Sequence, residues 1–333
     1  MNRKIICSHK FLLMTLCVFA ISFFTPFSFA ADGADKTPPP VEQKISIFQA
    51  TILGIVEGLT EYLPVSSTGH LILAGHFMGM THFSDHIGPF GRVLDKEKME
   101  AINSFDIIIQ FGAVLAVLGL YRKRVVQMCA GLIGKNPQGL KLFFLLVVAF
   151  LPATIVGLPA HKRIEQELFG PVPVAYALGI GGILMIVIEH FFWRRKQTNV
   201  SRVTNIDNIL YWQAAVIGFA QVLAMWPGTS RSMITILAAL VVGLDMVTAA
   251  EFSFLLALPT LMGATFVSVF EDWAIIRQAV GVDSMLVGLI VSGIVAALAI
   301  KGFVKWLTHH GMFPFGIYRI IVAIIIFWLI TAK

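Results

Sequence analysis

Apolar runs near the length a bilayer requires recur along this chain, and no other feature restricts its fold so strongly. They lie near residues 105–121, 140–160, 171–193, 250–270, 285–307 and 313–331; a span takes about 20 residues at 1.5 Å each. Of 333 residues, 57% are hydrophobic and 13% charged, whereas a soluble domain carries about 25% charged residues. A soluble globular enzyme is excluded. The net charge of +6 does not imply nucleic acid, because Lys and Arg cluster in short loops between the apolar runs. That is the pattern of membrane orientation, so membrane lipid is an expected partner and nucleic acid is not.

The first thirty residues read as a signal peptide. Arg3, Lys4 and Lys10 form a basic start, Phe11 to Phe24 is apolar, and Ser28-Phe29-Ala30 supplies small residues for cleavage after Ala30, with an uncleaved anchor as the alternative. Residues 31–44, rich in Pro and charge, then form a periplasmic linker. Cys7 and Cys17 fall in the leader, which leaves Cys129 alone. One thiol can form neither an internal disulfide nor a cysteine metal cluster.

The chain repeats itself. Gln49-Ala50-Thr51-Ile52-Leu53-Gly54 recurs as Gln213-Ala214-Ala215-Val216-Ile217-Gly218, which pairs Glu57 with Gln221. Aligning the prolines next pairs Leu63-Pro64-Val65-Ser66-Ser67-Thr68 with Trp226-Pro227-Gly228-Thr229-Ser230-Arg231, at the cost of a single-residue gap. Each copy opens a half of similar plan: a helix, a Pro-containing break, a short helix, then three long apolar runs. A short helix over 66–79 rises only about 21 Å against a hydrocarbon core of about 30 Å. It therefore reads as one arm of a hairpin that dips into the membrane and returns.

Basic residues orient the chain. Arg122, Lys123, Arg124, Lys135 and Lys141 fall in one inner loop, and Arg194, Arg195, Lys196 and Arg202 in the next. Three full spans per half is an odd number, so the second half is inverted. The expected fold is an all-α polytopic membrane protein with an inverted-topology repeat, two re-entrant helix hairpins and about six full transmembrane helices. The first membrane repeat covers 45–193, a cytoplasmic loop 194–208, and the second repeat 209–333.

The densest polar cluster in this greasy chain runs from Glu57 to His70 and includes Glu61, Ser66, Ser67 and Thr68. Glu57 and Glu61, four apart, share one helical face. Ionisable groups inside membrane segments are costly and point to function. The partner cluster, Pro227-Gly228-Thr229-Ser230-Arg231-Ser232 followed by Thr235, adds a guanidinium fork to the free N–H groups at a helix start, an arrangement suited to phosphate. Ser66 or Ser67 caps the opposing short helix. Arg231 also suits an ion pair with Glu57 or Glu61, and the two roles are compatible.

Two carboxylates beside an anion would repel it, and a divalent cation held by Glu57 and Glu61 resolves the conflict. Oxygen ligands without a His/Cys set favour Mg²⁺ or Ca²⁺ over zinc. The nucleophile is the Ser67 hydroxyl, His70 or a metal-bound water. Ser67 and His70 lie three apart, so His70 is placed to take the hydroxyl proton.

The string from Glu57 to His70, and Trp226-Pro227-Gly228-Thr229-Ser230-Arg231-Ser232, resemble the two signatures of the bacterial undecaprenyl-diphosphate phosphatase family, also called bacitracin resistance proteins. The similarity runs from residue 45 to the end and includes Ala250-Glu251-Phe252-Ser253-Phe254-Leu255-Leu256-Ala257 and Gly316-Ile317-Tyr318-Arg319. It implies hydrolysis of undecaprenyl diphosphate to the monophosphate and phosphate, which recycles the carrier for peptidoglycan synthesis. It further implies a site in the bacterial inner membrane that opens to the periplasm. The family's acidic pair falls on Glu57 and Glu61, its catalytic hydroxyl on Ser67, its histidine on His70 and its phosphate-binding arginine on Arg231. Ser230 and Thr235 match supporting hydroxyls, with Thr229 and Ser66 beside them. A homodimer is allowed and not required.

Two departures are the segment before residue 45 and the polar stretch 81–103, which is long for a loop. The phosphatidic acid phosphatase type also combines Ser-Gly-His with Ser-Arg, but its third motif, a His with a downstream Asp, is missing here. The rival class is a transporter or flippase, since broken inverted repeats are widespread there; a hydroxyl and His beside the acids favours an enzyme. Asp106 and Gln110 share a face that lines the cavity or marks a helix end. Glu189-His190 and His309-His310 are expected at solvated inner membrane edges.

Overall fold

Apolar sequence of this density closes into helices because no water is available in a membrane to satisfy an open backbone. The computed structural model describes residues 45–80, 86–87, 92–93, 96–196 and 202–332. The expected signal peptide and linker lie outside the described residues. Eleven α-helices occur among them: α1 Ile47–Thr60, α2 Ser67–Phe77, α3 Lys96–Leu120, α4 Arg122–Leu132, α5 Pro137–Leu168, α6 Pro171–Lys196, α7 Tyr211–Gln221, α8 Arg231–Val241, α9 Met246–Ala279, α10 Val282–His309 and α11 Phe313–Thr331. Besides short 3₁₀ turns, a two-residue antiparallel ribbon pairs His86 with Val93 and Ile87 with Arg92.

Stretches of α5, α6, α9, α10 and α11 are long and apolar enough to cross a membrane, and α3 with α4 makes a sixth as a pair bent by 78°. The six expected runs are therefore all helical. Two loops were misplaced. The polar stretch expected as a loop over 81–103 becomes helix at Lys96. Arg122, Lys123 and Arg124, expected in an inner loop, begin α4, whose Val125 and Met128 are buried while its basic side chains stay partly or fully exposed. Arg124 pairs with Asp207 at 3.2 Å and Glu251 at 3.1 Å, so part of that basic cluster ties helices together. Ile290, Ile294 and Leu298 lie exposed along one stripe of α10, as a lipid-facing surface requires.

The two halves match at one constant spacing, without the gap that aligning the prolines suggested. Gln49 and Gln213 each accept a bond from the N–H that precedes their helix, both at 2.9 Å. Gly54 matches Gly218, and each sits where a helix comes too close for a side chain: Gly54 against Gly288, Gly218 against Ala149. Ser66 matches Ser230, each before a short helix with φ of 72°. Gly79 matches Gly243, both with positive φ. Pro64 is thereby equivalent to Gly228 and Ser67 to Arg231. What the halves share is a backbone turn, and the prolines within it occupy neighbouring positions.

Each opening helix leaves its own half: α1 packs on α10 and α7 on α5. The halves are interlocked, and this brings both breaks to the middle of the molecule.

Candidate active site

Helix α1 ends at Thr60 because Pro64, four residues on, has no N–H to continue the backbone ladder. Glu57 and Glu61 project from one face, as their spacing requires, and both are buried, at 1% and 7% exposure. The chain then breaks through Tyr62–Val65 and restarts as α2, while on the other side it breaks through Trp226–Thr229 and restarts as α8. Both first turns converge on Glu61. Ser67 Oγ donates to Glu61 Oε2 at 2.8 Å, and Arg231 Nη2 donates to Glu61 Oε1 at 3.3 Å. The ion pair crosses between the halves.

Arg231 is held from several sides. Its Nη1 donates to the Ser253 carbonyl at 3.0 Å, and its guanidinium lies 5.7 Å from the centre of the Tyr62 ring, a favourable cation–π position. Thr235 donates back to the Arg231 carbonyl at 2.8 Å and lies 2.6 Å from the Ser253 hydroxyl. The Nε of Arg231 is buried without a partner; a phosphate oxygen is the natural acceptor for it.

The hydroxyls divide their roles. Ser230 caps α8 by accepting from the Met233 N–H at 3.3 Å, and lies 3.0 Å from the Ser232 hydroxyl. Ser232 donates to the Leu63 carbonyl at 2.9 Å, which stitches one break to the other. The expected cap on α2 is not formed: Ser66 precedes the helix with no capping bond from its hydroxyl, and the Ser67 hydroxyl is turned to Glu61. Non-glycine residues at positive φ carry strain of about 1–3 kcal/mol and concentrate at functional sites. Here that strain falls symmetrically on Ser66 and Ser230. Thr229 is buried at the second break, at the edge of the cluster.

His70 stands apart from Ser67. Its Nδ1–H donates to the Ser66 carbonyl at 2.7 Å, which leaves Nε2 as an acceptor, and the Tyr318 hydroxyl lies 2.6 Å from it. In this geometry the proton of Ser67 is directed to Glu61, and both nitrogens of His70 are engaged elsewhere.

Sequence reasoning missed four participants. Tyr62, Ser253, Tyr318 and Arg319 lay inside motif strings, but their partners are remote in sequence. Glu189 was also misread. It is buried, its carboxylate lies against Gly311 just before α11, and its Oε2 has no hydrogen-bond partner. It is a carboxylate at a helix N-terminus. Asp106 lies within α3 with Oδ1 buried and unpartnered, not at a helix end.

A divalent cation can be tested against the donors present. Among the described residues no three His, Cys, Asp or Glu side chains form a group able to hold an ion alone. Yet Glu57 Oε1 is buried with no hydrogen-bond partner, one turn from Glu61 and the Ser67 hydroxyl that Glu61 holds. Two carboxylates fit a hard cation that takes its remaining ligands from phosphate and water.

The sequence has relatives among known proteins. The profile of the family described as bacitracin resistance protein BacA matches residues 50–325. A protein named undecaprenyl-diphosphatase from Sorangium cellulosum is 44% identical over 283 residues, covering 85% of this chain and 86% of the relative. Proteins of the same name from Wolinella succinogenes and a Thermoanaerobacter species are 41% and 39% identical, covering 84% and 86% of this chain and 97% and 98% of theirs. The match takes in both breaks and everything that packs around them, and so the chain belongs to the bacitracin resistance protein BacA family.

Proposed function

We infer that this protein is an integral-membrane undecaprenyl-diphosphatase. It hydrolyses undecaprenyl diphosphate to undecaprenyl phosphate and inorganic phosphate, returns the carrier to peptidoglycan synthesis and confers resistance to bacitracin. One observation carries this reading: a hydroxyl, a carboxylate and a guanidinium meet at Glu61 from both halves of a membrane protein, within 2.8 and 3.3 Å. A transporter needs a binding charge but no hydroxyl held on a base.

The chemistry follows from the contacts. The Ser67 oxygen attacks the terminal phosphorus as its proton passes to Glu61. The bond from that phosphorus to the bridging oxygen breaks, and undecaprenyl phosphate departs with the bonding pair. Glu61 hands its proton to the departing oxygen and then takes one from water, which attacks the phosphoserine; the bond from phosphorus to the Ser67 oxygen breaks, Glu61 returns the proton to that oxygen, and phosphate leaves. Arg231 turns from Glu61 toward the phosphoryl oxygens and neutralises charge that grows as the bond breaks. Ser230, Thr235, Thr229 and Ser66 shape the phosphate-binding turns.

Glu57 and Glu61 would hold Mg²⁺ or Ca²⁺, which neutralises phosphate charge when bound. The site faces the periplasm of a bacterial inner membrane; the basic residues around α4 on the opposite side support this orientation. In purified protein with undecaprenyl diphosphate, chelation is expected to lower phosphate release at least about tenfold, with recovery on adding Mg²⁺ or Ca²⁺. Release indifferent to chelator removes the cation from the account. No release from folded, metal-supplied protein removes the diphosphatase. Acid quenching during turnover is expected to trap phosphate on Ser67; its absence would make water the direct nucleophile.

A further inference from the structure

Among the described residues Arg319 is the largest fully buried side chain, at 0% exposure. Among the described residues no carboxylate pairs with it. A guanidinium without a counter-ion in a low-dielectric interior is very costly unless its N–H groups are taken up by other acceptors. Here they are, and all the acceptors are backbone carbonyls. Nη1 donates to Pro64 at 3.3 Å, Nη2 to Gly228 at 2.9 Å and to Ala177 at 3.1 Å, and Nε to Leu178 at 3.3 Å.

The choice of carbonyls is informative. Pro64 and Gly228 are equivalent positions in the two breaks, each two residues before the strained Ser66 and Ser230. Both carbonyls are left unbonded by the helices because the chain is not helical there. A single planar fork therefore bridges the two breaks and anchors them to α6 through Ala177 and Leu178. Room is made for it by Gly181: a Cβ there would sit 3.0 Å from the Arg319 Cζ. Lys could reach one carbonyl but not span both breaks, since its ammonium is a point charge and not a fork.

We propose that Arg319 is a positioning residue for the hydrolytic reaction, a clamp that fixes the spacing of the two breaks and so the register of Ser67–Glu61 against Arg231. Arg319 touches neither Glu61, Ser67 nor Arg231, so it acts through the backbone. This rests on the diphosphatase reading only for its kinetic arm, because the clamp itself has a readout that needs no substrate.

The test compares Arg319→Lys, Arg319→Gln and Gly181→Ala with wild type, each scored per folded molecule. Loss of alignment without loss of binding groups should lower kcat about 100-fold and leave KM within about threefold. Amide exchange should rise by about tenfold or more in residues 65–67 and 228–231 together. A local packing role would loosen α6 and α11 alone. Unchanged exchange in both breaks, or wild-type kcat in the folded variants, overturns the clamp. If the Arg319 variants do not fold, Gly181→Ala decides, since it keeps the charge and every carbonyl and presses on the guanidinium, meeting besides it the flexible end of Met233. Inactive wild type with variant-dependent exchange would instead retain the clamp and discard the diphosphatase.

Discussion

Glu61→Gln is expected to slow phosphate release from undecaprenyl diphosphate by about 10³- to 10⁴-fold, the upper part of the range for removing a positioned general base. The substitution keeps size and an oxygen that can still accept from Ser67. It removes the charge that draws the Ser67 proton, half of the carboxylate pair, and the counter-ion of Arg231. Glu61 bonds Ser67 at 2.8 Å and Arg231 at 3.3 Å, so one carboxylate joins the hydroxyl of one half to the guanidinium of the other. Part of the loss will appear as lower stability, because taking one partner from a buried ion pair costs about 3–5 kcal/mol. The kinetic effect is therefore read per folded molecule, with monodispersity and melting temperature as controls. Turnover within tenfold of wild type would show that the base lies elsewhere.

Arg231→Ala is expected to cost about 10³-fold, the upper range for removing one donor that stabilises transition-state charge. Arg231 starts α8 and is braced by the Ser253 carbonyl, the Tyr62 ring and Thr235, so its position does not depend on the ion pair alone. Arg231→Lys should recover only part of the loss, since an ammonium cannot reach Glu61, Ser253 and a phosphate oxygen in one plane. Initial rates over a range of substrate concentrations check this. A variant that loses affinity alone, with kcat unchanged, would make Arg231 a binding residue and nothing more.

Much of this site was legible before any coordinate. The polar strings around Glu57–His70 and Trp226–Ser232 stand out because a membrane segment tolerates few such residues, and the Gln-Ala repeat announced two equivalent halves. The register between the halves was harder. Pro64 and Pro227 invite alignment by identity, whereas the fold aligns the positive-φ serines, and backbone conformation is invisible in residue names. Helix α4 was hidden because Arg122, Lys123 and Arg124 look like a loop until the buried faces of Val125 and Met128 are known. Ser67 and His70 were rightly placed on one helical turn, but sequence spacing could not say that Tyr318 and the Ser66 carbonyl would engage the imidazole. Arg319 illustrates the limit best. Its acceptors at Pro64, Ala177, Leu178 and Gly228 come from three distant parts of the chain, and no local pattern encodes that meeting.

The most direct trial of the account is a double-mutant cycle between the halves: phosphate release by wild type, Glu61→Gln, Arg231→Ala and the pair combined. If both residues serve a single phosphoryl group, the combined variant should be little slower than the slower single variant. If instead the two losses multiply, Glu61 and Arg231 act independently, and one hydrolytic centre shared by both breaks is the wrong description of this protein.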